Sequence, residues 1–251
     1  MERYSTPVLQ GSFAVKTLGI IGGIGPESTI EYYRLLVARY RERAENRHYP
    51  SILINSIDMK RMRDLIEADQ WPRVTEYLAA ELRKLAQAGA DFALLAANTP
   101  HNIFEELERR SPIPLISIVA ATRRAAQRLG LRKVALFGTR FTMQARFYPD
   151  EFEPAGIALV LPEPEDQDYI HRKYMDELVE GVFLAETRAC LLAIADKLRK
   201  QHAIEGLVLG GTELPLLLKE PEHQGLRLLD TTRLHVEEAV ARMLEPPGYE
   251  G

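Results

Sequence analysis

KTLGIIGG, residues 16–23, lies over RKVALFGT, residues 132–139, with Leu18 falling on Val134 at an offset of 116. Each is a short apolar run that ends in small residues, the pattern of a buried strand entering a tight turn. A second pair, LLAANTPHN (94–102) over VLGGTELPL (208–216), sets Ala97 on Gly211 at an offset of 114. LRK also recurs at 82–84 and 198–200, shortly before a strand each time. Agreeing offsets from separate segments define an internal repeat. Outward from these anchors, strands are expected at 51–57, 91–97, 157–161, 206–211 and 226–230, with PLISIV (114–119) continuing the series. Helices are expected at 26–44, with Pro26 in the first turn, at 74–90, at 186–201, and at 231–244 with Asp230 as its cap. Alternating strands and helices predict an α/β fold: two pseudo-symmetric lobes, each a mainly parallel sheet flanked by helices, with a ligand cleft between them. The expected division is 16–116 with 226–247, the returning C-terminal helix, as the first lobe and 117–225 as the second, preceded at 1–15 by a disordered leader or an oligomer arm.

The chain has 251 residues, 46% hydrophobic and 27% charged, enough to bury a substantial core. A net charge of -4 offers no basic face for nucleic acid. No apolar run approaches the roughly 18 residues a membrane helix needs, so no membrane partner is expected. One cysteine, Cys190, permits neither an internal disulfide nor a cysteine metal site and suits a reducing, cytoplasmic setting. Its helical, apolar surroundings read as those of a buried structural thiol.

Several segments carry candidate chemistry. In GIIGGIGPEST (19–29) Ser28 stands where a dinucleotide fingerprint needs a third glycine or an alanine, and SILINSID supplies no clean terminal acid at the expected place, so that reading fails. What remains is either a bare strand-to-helix turn or a close backbone approach to a small anion, with Ile24 at the site. In LLAANTPHN, Asn98, Thr99 and His101 follow a strand; Thr99 serves as a helix cap or, with Asn98, as a hydrogen-bonding group for a ligand. Thr212 and Glu213 occupy the matching place in the other lobe, and Thr139 of GTRFTM (138–143) faces the same cleft. HRKYMDELVEG (171–181) sets three cations ahead of an amphipathic helix, either a solvated face or, through Arg172, a carboxylate clamp. The six histidines show no zinc spacing.

KTLGIIGGIGPEST, AANTPH (96–101), GTRFTM, LGGTELPLL (209–217) and the closing LDTTRLHVEEAV (229–240) together resemble the aspartate/glutamate racemase family over about residues 16 to 244. The resemblance implies cofactor-independent chemistry without pyridoxal phosphate or metal, a small amino acid or dicarboxylate held between the lobes, and a homodimer. It also implies two cysteines, one removing the α-proton as thiolate and one delivering a proton to the opposite face. The positions it assigns them hold Ala97 and Gly211. Asn98, Thr99, Thr139, Thr212, Arg172, Ile24 and Ser56 remain as substrate-binding candidates, with Thr99, Thr212, Glu213 and His101 as the nearest acid–base candidates. Three readings follow: an enzyme of the superfamily with altered chemistry of isomerase, lyase or decarboxylase type; a ligand-binding or regulatory pseudoenzyme; and a racemase inactivated by substitution at both positions.

Overall fold

The computed structural model describes residues 15–44 and 48–245. Apart from Val15, the expected leader lies outside the described residues. The first sheet is β2-β1-β3-β4, built from β1 (Leu18–Gly22), β2 (Ile52–Ser56), β3 (Phe92–Leu95) and β4 (Leu115–Ile116), all parallel. The second is β6-β5-β7-β9-β8, built from β5 (Lys133–Gly138), β6 (Ala158–Val160), β7 (Gly206–Gly210), β8 (Glu222–His223) and β9 (Leu226–Asp230), with only β8 antiparallel. The internal repeat reappears as hydrogen-bond register. Leu18 pairs with Ile52 and Phe92, while Val134 pairs with Leu159 and Gly206. The two central strands thus hold corresponding neighbours in each sheet, as the sequence offsets require.

Helices cover both sheets: α1 (Pro26–Arg43), α2 (Met59–Glu67), α3 (Trp71–Gln87), α4 (Phe104–Arg110), α5 (Ile118–Arg128), α6 (Arg140–Gln144), α7 (Phe147–Phe152), α8 (Pro164–Lys173), α9 (Ala185–His202), α10 (Leu214–Leu217) and α11 (Thr231–Met243). Parallel strands need such crossovers, and their burial on both faces explains why β1, β3 and β7 are buried throughout. Two expectations change. PLISIV yields only a two-residue strand, because Ser117 accepts a hydrogen bond from the Ala120 N–H at 3.2 Å and starts α5. Leu226–Asp230 does not travel with the first lobe: β9 pairs with β7, and its Leu226, Leu228 and Leu229 pack among second-lobe side chains. Only α11 returns, setting Val236, Ala239, Val240 and Met243 against Leu18, Ile20, Tyr32 and Leu36. Its start is fixed by Asp230, whose carboxylate accepts from the Arg233 N–H at 3.0 Å. No described helix is long and apolar enough to cross a membrane.

Candidate functional site

The carboxyl ends of β1, β3, β5 and β7 converge on a cavity of about 480 Å³ between the two sheets, where ligands bind in open α/β folds. Its lining includes Ile24, Ala97, Asn98, Thr99, Thr139, Gly211, Thr212 and Glu213, drawn from both halves of the chain. Ser56, His101 and Arg172 are not part of it. Ser56 is exposed at the end of β2, beside the backbone of Gly23. Arg172 is exposed near the Tyr169 ring. The expected helix after 171–173 is also displaced: these residues form the last turn of α8, and Tyr174–Leu178 continues as a π-helical turn. That geometry turns His171 and Tyr174, rather than Arg172, to the cavity.

The shared polar residues bond to one another across the lobes. Asn98 accepts from the Tyr148 hydroxyl at 2.7 Å and donates to Thr231 Oγ1 at 3.3 Å. Thr99 Oγ1 lies 3.2 Å from Thr139 Oγ1 and 3.4 Å from Thr142 Oγ1. Thr99 caps nothing, since a 3₁₀ turn over Thr99–Ile103 begins there with no side-chain cap; Thr139 does cap α6, accepting from the Thr142 N–H at 3.2 Å. His101 is a structural brace. The Ala97 carbonyl can only accept and the Ile118 N–H can only donate, so Nδ1 carries the proton toward Ala97 (3.1 Å) and Nε2 accepts from Ile118 (3.2 Å). Burial, with His235 nearby, pushes its pKa down to about 3.

Glu213 is the most unusual group. Its buried carboxylate accepts from Ser28 Oγ at 2.5 Å, from Thr212 Oγ1 at 3.2 Å and from the Tyr174 hydroxyl, and Ser28 and Thr212 meet at 2.6 Å. Burial raises its pKa above the usual carboxylate range, opposed by those hydroxyls. Tyr174 is likewise raised well above the ordinary phenol, first by burial and then by Glu213. Cations stand elsewhere on the lining: Arg140 pairs with Asp168 at 2.9 Å and Arg63 with Glu67 at 3.7 Å, each about half exposed. His171 Nδ1 accepts from the Arg140 N–H at 3.2 Å, which puts the proton of the neutral ring on Nε2. Among the described residues no three His, Cys, Asp or Glu side chains assemble as a candidate metal group. Cys190 lies in α9, outside the cavity, and is only partly buried, contrary to expectation.

A family model for Asp/Glu/hydantoin racemase matches residues 21–239. The chain belongs to the Asp/Glu/hydantoin racemase family. Among solved structures, an aspartate racemase homologue from Pyrococcus horikoshii OT3 is 33% identical with a TM-score of 0.78, the match covering 92% of this chain and 100% of the other. Picrophilus torridus aspartate racemase shares the fold at 20% identity and a TM-score of 0.74, over 90% and 94% of the two chains. The broad specificity amino-acid racemase of Bacillus subtilis is 26% identical over 176 residues, 67% of this chain and 70% of its own.

Within this racemase-family fold, Ala97 and Gly211 line the same cavity from the first and second lobes. Neither side chain can exchange a proton. The wall at Gly211 is also closed by shape, because a Cβ added there would overlap the Tyr174 ring. Sequence reasoning missed Tyr174, Arg63 and Arg140. HRKYMDELVEG stands out by its cations, and nothing local in it shows that a π turn brings its tyrosine onto a glycine 37 residues later.

Proposed function

We propose that this protein binds a small amino acid or dicarboxylate between its lobes and does not invert it by the opposed-thiol route. The observation that carries the reading is the pair of thiol-free walls: Ala97 on one side and, on the other, Gly211 roofed by the Tyr174 ring. Losing one positioned acid or base typically costs roughly 10²–10⁴ in rate, and here neither assigned position has one. The cavity, its Asn and Thr lining and the half-exposed Arg63 and Arg140 support binding of a carboxylate. The reading includes the homodimer expected from the resemblance, which sedimentation of the purified chain tests, and the cytoplasmic setting expected from the lone cysteine.

Calorimetry with the L- and D-forms of aspartate, glutamate and phenylglycine should show binding of at least one, and chiral analysis after incubation should show no inversion. Arg140→Ala should weaken binding by about tenfold, the value of a partly screened charge-assisted bond. Arg172→Ala should leave it unchanged. No binding of any of the six compounds, or inversion of a bound one, would overturn the reading.

A further inference from the structure

We propose that Tyr174 and Glu213 form a one-sided proton-transfer centre, which exchanges the α-proton of a carboxylic acid with an apolar side chain and returns it to the face it left. The inference deepens the binding role above and rests on it.

Space is the first support. The second-lobe wall is shaped around this pair by two glycines. A Cβ on Gly211 would overlap the Tyr174 ring, and a Cβ on Gly25 would overlap the Glu213 carboxylate. Gly25 also has a φ of +107°, a conformation that side-chain-bearing residues resist. One glycine comes from the first lobe and one from the second, so both halves of the chain give way to the same two side chains.

Polar environment is the second. Glu213 sits among three hydroxyls, those of Ser28, Thr212 and Tyr174, and no Lys, Arg or His side chain pairs with it among the described residues. A carboxylate kept for stability alone is normally buried with a cation. One held only by hydroxyls can gain and lose a proton without breaking an ion pair. Tyr174 begins the π-helical turn Tyr174–Leu178, a backbone form that recurs where a side chain is aimed at a site. Tyr174 and Glu213 both line the cavity.

The opposite wall lacks a matching acid–base pair among the described residues. Ala97 provides no proton there, while the neighbouring Asn98 and Thr99 are engaged across the lobes. Met59, Met62, Ile66, Phe141 and Met175 make much of the remaining lining apolar, which favours an apolar substituent over a second carboxylate. In the transfer itself, the C–H bond beside the substrate carboxyl group breaks and its proton passes to Tyr174 Oη. The phenolic proton moves to Glu213, and the C–H electron pair delocalises into the substrate carboxyl group. Reversal restores both partners. Exchange with solvent while Glu213 holds the proton makes the returning one a deuteron in D₂O.

The test uses the full chain with L- and D-phenylglycine, whose aryl group acidifies the α-proton and suits the apolar walls, and follows the α-proton by NMR in D₂O. One enantiomer should lose its α-proton signal while retaining its configuration. Tyr174→Phe keeps the ring over Gly211 and removes only the hydroxyl; it should slow exchange at saturating phenylglycine by at least about 100-fold, with the dissociation constant changed less than threefold. Glu213→Gln should do the same. Binding of aspartate or glutamate but not of phenylglycine, binding of phenylglycine without exchange in the parent protein, exchange of both enantiomers, or undiminished exchange in Tyr174→Phe would overturn the inference and leave the binding role standing. Failure of phenylglycine, aspartate and glutamate alike to bind would overturn both.

Discussion

Gly211 shows how much one residue decides here. As a glycine it admits the Tyr174 ring against the end of β7; any larger residue must push that ring away. Gly211→Ala should therefore destabilise the fold by about 1–3 kcal/mol, the usual cost of overpacking. In a Tyr174→Ala background the same change should be nearly neutral, since the obstructing ring is gone. Urea denaturation of the four proteins measures the coupling, and additive effects would contradict the contact. For the same reason Gly211→Cys alone should fail to bring thiol chemistry to this wall, as the sulfur would meet an aromatic ring. The sequence shows a glycine beside Thr212-Glu213 but not its reason, because Tyr174 lies in a different element. Asn98, Thr99, Thr139 and Thr212 were legible as cleft residues from the repeat. Their mutual bonds were not, since hydrogen-bond partners in opposite lobes leave no local spacing.

At the scale of elements, buried histidines join segments that the repeat alone does not connect. His101 bonds the end of β3 to the first turn of α5, while His235 of α11 accepts from the Tyr32 hydroxyl of α1 at 2.8 Å and donates to the Ile116 carbonyl of β4 at 2.9 Å. Burial lowers their pKa values to about 3 and about 4 from an ordinary 6.5. As pH falls below 6.5 the unfolded chain binds protons at these positions before the fold does, so stability must fall, and the loss ends below the folded values. From pH 7 to 5 each contributes about 2 kcal/mol of that loss. Glu213 and Asp230, raised by burial, pull the other way over the carboxylate range. Comparing the parent with His101→Gln isolates the histidine: the variant's melting temperature should drop less between pH 7 and pH 5, and equal slopes would refute the assignment. His101 was legible as a residue beside the site. Its bracing role was not, because PLISIV reads as a strand until the Ser117 cap is seen to begin a helix.

For the whole molecule, the two lobes meet through polar pairs lining or adjoining the cavity and through α11, which leaves the second sheet and packs on the first lobe. Tyr148→Phe would strand the buried Asn98 side-chain oxygen Oδ1 at this junction and should cost about 1–3 kcal/mol in thermal or urea unfolding. A variant as stable as the parent would show that the junction does not depend on this bond. Sequence by itself determined the α/β class, the two-lobed repeat and the strand ends that face the cleft, because hydrophobic periodicity and small-residue turns are local and recur at a fixed offset. It also determined that positions 97 and 211 carry no thiol. Only the tertiary structure decided that β9 belongs to the second sheet, that His171 and Tyr174 rather than Arg172 face the cavity, and that Glu213 is held by hydroxyls without a cation among the described residues. Those outcomes depend on the phase of a π turn and on contacts between distant segments, which no single stretch of chain encodes.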